Sequence, residues 1–427
     1  MIIKTLTVEN FRMFKRQGFR FNSRFNALIG RNGKGKTQIL DALSIILSVY
    51  QTKFLRRETI ERGIQKDEVR LEQTRSNQKD GAPLTQLEPI YPVSVSAQIF
   101  YRDTLFEQTC TKKNAKGRTT FGVATPFSQL AAQELQKKLN KEQITLPFLG
   151  YYGAGRLKPL HRRQTSKSKL DSGTIDGYKD GLDPKVLFDD VEQWIKDRIL
   201  NEILNKRFDV ELEIVRKALR VTIPQCSDIC YDPSSRSVCV QYENGVLEPL
   251  QNLSDGYRCI IKMVFDMARR IAVMNAPILG VKALEETSGV VLIDEIDLYL
   301  HPEWQRSVVD DLKNAFPKLQ FIVTTHSPFI IQSLKPGELI DLEKCDGQIF
   351  SHLEHLGVED NEDFAAPPPS GKYYNRSPED ITEDVMGIKL PQRSERLQEM
   401  YDAAREYYEL LNQSKNPSLE EKKKWKD

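Results

Sequence analysis

The sequence predicts an α/β fold: a parallel sheet with crossover helices, carrying a phosphate-binding loop at the carboxyl edge of its strands. Two observations predict it. Apolar residues at Phe25–Ile29 lead into the glycine-rich run Gly30–Gly35, and an apolar-periodic helix follows from Thr37 to about Tyr50. Later in the chain, apolar strands at Val290–Ile293 and Phe321–Thr324 are separated by a helix at Pro302–Ala315, an alternation that calls for a parallel sheet.

Gly30, Arg31, Asn32, Gly33, Lys34, Gly35, Lys36 and Thr37 match GxxxxGK[ST] at every position. The glycines let successive N–H groups turn toward a phosphate, and the helix N-terminus adds partial positive charge. Lys36 is placed to bridge the β- and γ-phosphates of ATP, and the Thr37 hydroxyl to take a Mg²⁺ position. The strand Gly289–Ile293 ends in Asp294 and Glu295. A strand buried on both faces delivers such carboxylates to the edge of the sheet where ligands bind. Asp294 is placed to hold Mg²⁺ through water and Glu295 to polarise the attacking water. Ser254 caps a helix running to about Met274, and Gly256 lets another backbone approach its first turn. By itself this is an ordinary Ser-capped helix; its order in the chain, between the phosphate loop and Asp294, raises it above that. His326 ends the next buried strand, 31 residues after Glu295.

The series NFRMF, GRNGKGKT, LSDGYR, LIDEIDLYLHP and TTHSP resembles the ABC-type ATPase heads of the RecF/SMC- and OLD-related class over roughly residues 1–350. YYGAGR and the tail SPEDITEDVMGIKLPQRSERLQEMY make it similar to the PtuA-type ATPases of Septu and retron anti-phage defence. The resemblance implies a split site. Ser254 and Gly256 would cap the γ-phosphate bound by a second subunit, Asp297 would reach across the dimer, His326 would act as γ-phosphate switch, and Arg12 would lie near the nucleotide. It implies a homodimer or higher oligomer working with a PtuB-like HNH nuclease, and in retron versions a reverse transcriptase with its DNA–RNA product. One departure stands out: where the family has a Q-loop glutamine, after Leu146–Tyr152, this chain has Gly153, Ala154, Gly155 and Arg156.

The expected organisation is an ATPase domain over 1–350 with inserted helical and β-hairpin elements. Residues 51–92 form a charged, solvated insertion, 156–184 a basic and mobile loop, and 185–250 a helical and hairpin subdomain. A Pro-rich linker at 351–376 leads to a helical extension at 377–427, where Glu395–Leu411 is an amphipathic helix and the charged end suggests a native chain that continues. Within the domain, Val93–Tyr101 and Leu105–Thr111 read as a hairpin around Arg102-Asp103, and Tyr231–Tyr242 pairs with Val246–Leu250 around Glu243-Asn244-Gly245.

A net charge of +2 selects no partner, no run of about 18 apolar residues spans a membrane, and the six cysteines form no CxxC pair. A cytoplasmic protein with reduced cysteines is expected. An OLD-type nuclease needs a Glu and a DxD pair after the ATPase; the roughly 100 residues after His326 contain no DxD, so that alternative requires a chain that continues past Asp427. A RecF- or SMC-like repair ATPase remains the alternative, although the interval from Gly30 to Leu253 is too broken for long coils; a transporter ATPase fits NFRMF and LYLHP poorly. Arg156, Lys158, Arg162, Arg163, Lys167 and Lys169 occur with no acidic residue among them, as a nucleic-acid contact or equally a solvated loop. If it is a contact, replacing Arg162, Arg163, Lys167 and Lys169 by Ala should weaken nucleic-acid binding and flatten its log–log salt slope by up to about three units. An unchanged slope in a salt titration would remove the stretch as a contact.

Overall fold

A computed structural model describes residues 1–55, 62–76, 84–122, 125–156, 177–184, 191–343, 376–386, 400 and 403–405. The chain divides into two compact units, Met1–Tyr374 and Asn375–Asp427.

Two sheets organise the first unit. Strands β1 (Ile2–Phe11) and β2 (Phe14–Arg20) form a hairpin, and β3 (Phe25–Ile29) enters the core. β4 (Leu71–Ser76) pairs with β5 (Leu84–Pro89), while β6 (Val93–Tyr101) and β7 (Thr104–Lys112) join the first hairpin as an antiparallel sheet in the order β2-β1-β6-β7. β8 (Phe148–Tyr152) belongs to the core, and β9 (Cys226–Asp232), β10 (Ser237–Tyr242) and β11 (Leu247–Pro249) make a separate small sheet. β12 (Gly289–Ile293), β13 (Leu319–Thr324) and β14 (Leu339–Asp341) complete a five-stranded parallel sheet, β14-β3-β13-β12-β8. Every residue of β3, β8, β12 and β13 is buried, as expected of parallel strands covered on both faces. The helix after the phosphate loop, Lys36–Phe54, is buried on most of its surface and fills the space between the two sheets. A parallel core bearing the loop, flanked by an antiparallel sheet, is the α/β architecture that the sequence predicts.

Gln320 joins the two sheets. β1 has a register break between Ile3 and Thr5, which frees the Ile3 backbone. The Gln320 side chain, 0% exposed, accepts from Ile3 N (2.7 Å) and donates to Ile3 O (2.8 Å) and Asn22 O (2.8 Å). Buried backbone groups must be paired, and here a side chain of the parallel core pairs them.

Several elements differ from expectation. β2 follows β1 after only two residues, because Arg12 takes φ 48° and turns the chain at once. Tyr231–Tyr242 is two strands: Asp232 accepts from Ser234 N (3.0 Å) and Ser235 N (3.1 Å), and this side-chain turn ends β9. Pro302–Ala315 is two helices, Pro302–Gln305 and Val308–Ala315. The charged insertion is not wholly solvated. Glu68 is buried and pairs with Arg12 (3.4 Å) and Arg62 (3.3 Å), so opposite charges neutralise one another against the lobe. Nor is 156–184 basic surface where it is described. Arg156, Tyr178 and Leu182 are buried, and Gly177 and Gly181 pack directly on Met274 and Arg270. Lys179 is exposed, and the basic residues within 157–176 lie outside the described residues, as do the 351–375 segment and most of Glu395–Leu411.

In the second unit, Pro378–Met386 is a helix, with Ser377 Oγ accepting from Asp380 N (3.1 Å). Among the described residues no helix is long and apolar enough to cross a membrane.

Replacing Gln320 by Leu keeps its volume but strands the Ile3 N–H and C=O. It is expected to cost about 2–4 kcal/mol in denaturant unfolding; a change below about 0.5 kcal/mol would show that these bonds do not join the sheets.

Candidate active site

The phosphate loop leaves β3 and enters the helix Lys36–Phe54 through Gly35, whose φ of +85° suits glycine. A Cβ at Gly35 would come within 2.5 Å of the Phe14 ring and 2.8 Å of Met13 Sδ, so the tip of the first hairpin packs on the loop. Glu343, just past β14, braces the other side by accepting from Arg31 N (3.1 Å). Lys36 is 8% exposed, and its ammonium donates to the carbonyls of Gly30 (2.6 Å) and Arg31 (3.2 Å). Burial lowers the Lys36 pKa, while Asp294, Glu295, Asp297 and Glu343 work to raise it.

One strand lies between the loop strand and the strand bearing the carboxylates, and it supplies the connection. At the end of β12, Asp294 has both oxygens 3.0 Å from Thr37 Oγ1. Thr324, ending the intervening β13, donates to Asp294 Oδ1 (2.7 Å) and accepts from Glu295 N (2.7 Å). Glu295 has φ 50°, a conformation sparsely populated by non-glycine residues and worth about 1–3 kcal/mol of strain, so its surroundings must hold it. Thr324 O holds Ile296 N (3.0 Å), and Arg156 donates to Glu295 O (2.6 Å). Asp297 accepts from Thr325 Oγ1 (2.6 Å) and His326 N (3.3 Å), tying the two strand ends together.

Lys36, Thr37, Asp294, Glu295, Asp297 and His326 therefore gather at one end of the parallel sheet. Thr37 and Asp294 present a hydroxyl and a carboxylate side by side, hard oxygen donors that fit Mg²⁺, an ion which completes its octahedron with water and phosphate oxygens. Ser254 and Gly256 stand apart. Ser254 is exposed and accepts from Tyr257 N (3.5 Å) at the start of the helix Asp255–Leu279. Gly256 faces the chain after Asp297: a Cβ there would sit 2.1 Å from Tyr299 O. Among the described residues neither is hydrogen-bonded to Lys36, Thr37 or Asp294. Arg12 approaches the second turn of the loop helix, where its guanidinium pairs with Asp41 (2.8 Å).

Thr324, Thr325, Glu343 and Arg156 were absent from the sequence-derived set. The two threonines precede His326 directly, a polar pair ending an apolar strand, which is a readable signal. Glu343 carries no such signal. Arg156 reverses an expectation: counted with the basic stretch as a nucleic-acid contact, it is 3% exposed and bonded to backbone carbonyls. His301 caps the helix Pro302–Gln305, accepting from Glu303 N (3.4 Å), with Pro302 at the first helical position.

A family profile described as "AAA domain, putative AbiEii toxin, Type IV TA system" matches residues 25–332. The "Retron Vc95 probable ATPase" of Vibrio cholerae serotype O1 biovar El Tor is 23% identical over 403 residues, covering 81% of this chain and 74% of that protein. The "Septu protein PtuA" of Bacillus thuringiensis is 24% identical over 401 residues, covering 91% and 85%. The "Retron Ec83 probable ATPase" of Escherichia coli is 32% identical over 197 residues, 44% of this chain and 35% of that protein. Among solved structures, the SMC head domain from Thermotoga maritima aligns at TM-score 0.42 and 14% identity, over 79% of this chain and 94% of that one.

Burial lowers the His326 pKa from 6.5, and the Lys36 ammonium lowers it further against Asp297, Glu295 and Asp294. The folded state thus prefers neutral imidazole. The unfolded chain binds the proton first as pH falls through 6.5, so the associated stability is present above that value and lost below it. Between about pH 7 and pH 5, the melting temperature of the wild-type protein should fall relative to that of His326→Gln. A constant difference over that range would contradict the assignment.

Proposed function

The chain belongs to this AAA-domain ATPase family, and on that premise we propose that it binds and hydrolyses ATP as the regulatory subunit of an anti-phage defence complex, dimerising on ATP to control an HNH nuclease. The observation that carries the chemistry is the meeting of Thr37, Asp294 and Thr324 across three strands, with Lys36, Glu295 and His326 around them. A phosphate loop, a metal-type carboxylate and a second carboxylate at one strand end are the parts that phosphoryl transfer to water needs.

In this reading the N–H groups of Gly30–Thr37 and the Lys36 ammonium hold the β- and γ-phosphates. Thr37 and Asp294 would hold Mg²⁺, which supplies charge neutralisation on the phosphate oxygens. Glu295 accepts a proton from water as its oxygen attacks the γ-phosphorus in line; the bond to the β–γ bridging oxygen breaks, and ADP leaves with its electron pair. His326, just past the end of β13, can donate a hydrogen bond to the γ-phosphate. Arg12 contributes from the nucleotide's flank through the Asp41 pair, and Asp297 reaches the partner.

Ser254 supports the dimer. It is an exposed helix cap that the cluster in its own chain does not use, and a helix N-terminus favours an anion. A second protomer's γ-phosphate fits that position. The names of the relatives, retron ATPases and Septu PtuA, support the defence setting. The PtuB-like HNH nuclease, and for retron forms the reverse transcriptase with its DNA–RNA product, are the partners that the family resemblance implies. Such a complex would work in the cytoplasm.

Glu295→Gln is expected to keep ATP affinity within about threefold, lower turnover by about 10²-fold or more, and accumulate an ATP-bound dimer in size-exclusion chromatography with light scattering. Turnover at the wild-type rate would remove Glu295 from the catalytic role.

A further inference from the structure

Arg156 lies four residues past the end of β8, and its guanidinium sits in a seat built from its own loop and two other segments. Nη1 donates to Asp294 O (2.6 Å) and Gly153 O (3.3 Å), Nη2 to Glu295 O (2.6 Å), and Nε to Cys259 Sγ (2.9 Å). The residue is 3% exposed. Buried arginines are ordinarily paired with carboxylates. Among the described residues the four acceptors of Arg156 are carbonyls and a sulfur, and none is a carboxylate.

The two shortest of those bonds bracket one residue. Asp294 O belongs to the peptide plane before the Glu295 Cα, and Glu295 O to the plane after it. A planar fork that grips both oxygens fixes the relative orientation of the two planes, and thus φ and ψ of Glu295. That residue is held at φ 50°, where a glutamate does not rest without support. The direction of its Cβ, and of the carboxylate beyond, follows from those planes. The third arm reaches Cys259, one turn into the helix that Ser254 caps, and Gly256 of that helix lies against Tyr299 O. The helix start thus meets the segment from Asp294 to Leu300 directly at its Tyr299–Leu300 end, and at its Asp294 end through Arg156.

We propose that Arg156 is a positioning residue for hydrolysis: by gripping the carbonyls on either side of Glu295 it aims that carboxylate, and through Cys259 it ties the aim to the helix that begins at Ser254. The proposal rests on Glu295 polarising the attacking water. Where the family has its Q-loop glutamine, this chain thus reaches the catalytic segment through the Asp294 and Glu295 carbonyls. A helix start that shifts on engaging a second protomer's phosphate would carry Arg156, and with it the Glu295 planes.

Arg156→Lys keeps the charge but cannot grip two carbonyls in one plane. It is expected to lower kcat at least about tenfold while ATP affinity stays within about threefold and the melting temperature within a few degrees. Cys259→Val keeps the volume and removes the acceptor, and should lower kcat about threefold or more at unchanged affinity. In single-turnover measurements Arg156→Lys/Glu295→Gln should decay no slower than Glu295→Gln alone, because a residue acting through Glu295 has nothing left to aim. A kcat for Arg156→Lys within about threefold of wild type overturns the proposal, and so do kcat and affinity falling together or multiplicative losses in the double variant. If Cys259→Val turns over as wild type, the tie to the Ser254 helix is overturned. Full turnover in Arg156→Lys beside an inactive Glu295→Gln defeats the Arg156 role alone; an active Glu295→Gln defeats the assignment beneath it.

Discussion

The contact between the Thr37 hydroxyl and the Asp294 carboxylate, 3.0 Å to each oxygen across 257 residues of sequence, is the constraint on which the rest of the site depends. It exists because β3 and β12 run parallel with β13 between them, so that all three strands end at the same edge. Thr324 at the end of β13 bridges the gap, touching Asp294 with its oxygen and Glu295 N with the same group. Shifting β13 by one residue would turn that hydroxyl to the opposite face of the sheet and release both carboxylate residues. The buried strands are thus not only a core; they set the register at which polar groups emerge.

The antiparallel lobe serves the same edge from outside. Its first hairpin places Phe14 and Met13 against Gly35, and Arg12 on Asp41 of the loop helix. Gln320 ties β1 to β13 through a backbone break that would otherwise leave buried groups unpaired. The phosphate loop is therefore braced by Glu343 on one side and the hairpin tip on the other, and the lobe cannot drift without disturbing it.

What was legible in the sequence was what is local in the chain. The phosphate loop with its flanking strand and helix, the acidic end of Gly289–Ile293, the Ser254 cap and the Arg102-Asp103 hairpin each rest on a few adjacent residues. The rest depended on partners far away. Arg156 read as basic surface because its neighbours at 158–169 are basic, yet its acceptors lie about 100 and about 140 residues later. Residues 177–184, rich in Gly and Asp, read as mobile; their glycines instead make room for Arg270 and Met274. Glu68 read as solvated because charge alternation cannot reveal that Arg12 and Arg62 will meet it. The break at Asp232 comes from a side-chain turn, and the one at Arg306–Ser307 from tight backbone turns onto Glu303 and Trp304; a period count passes over both.

The division of labour between the Lys36–Asp294 cluster and the distant Ser254 is the central claim, and mixing two inactive proteins tests it most directly. Lys36→Ala disables a protomer's own phosphate loop, and Ser254→Arg disables the cap it offers its partner. In a mixed dimer of the two, both defects fall on one site and the other site is intact. With half the dimers mixed and one of two sites working in each, ATPase activity should return to about a quarter of wild type on equimolar mixing. Activity that stays at the level of the separate variants would contradict a split site and return Ser254 to the role of an ordinary helix cap.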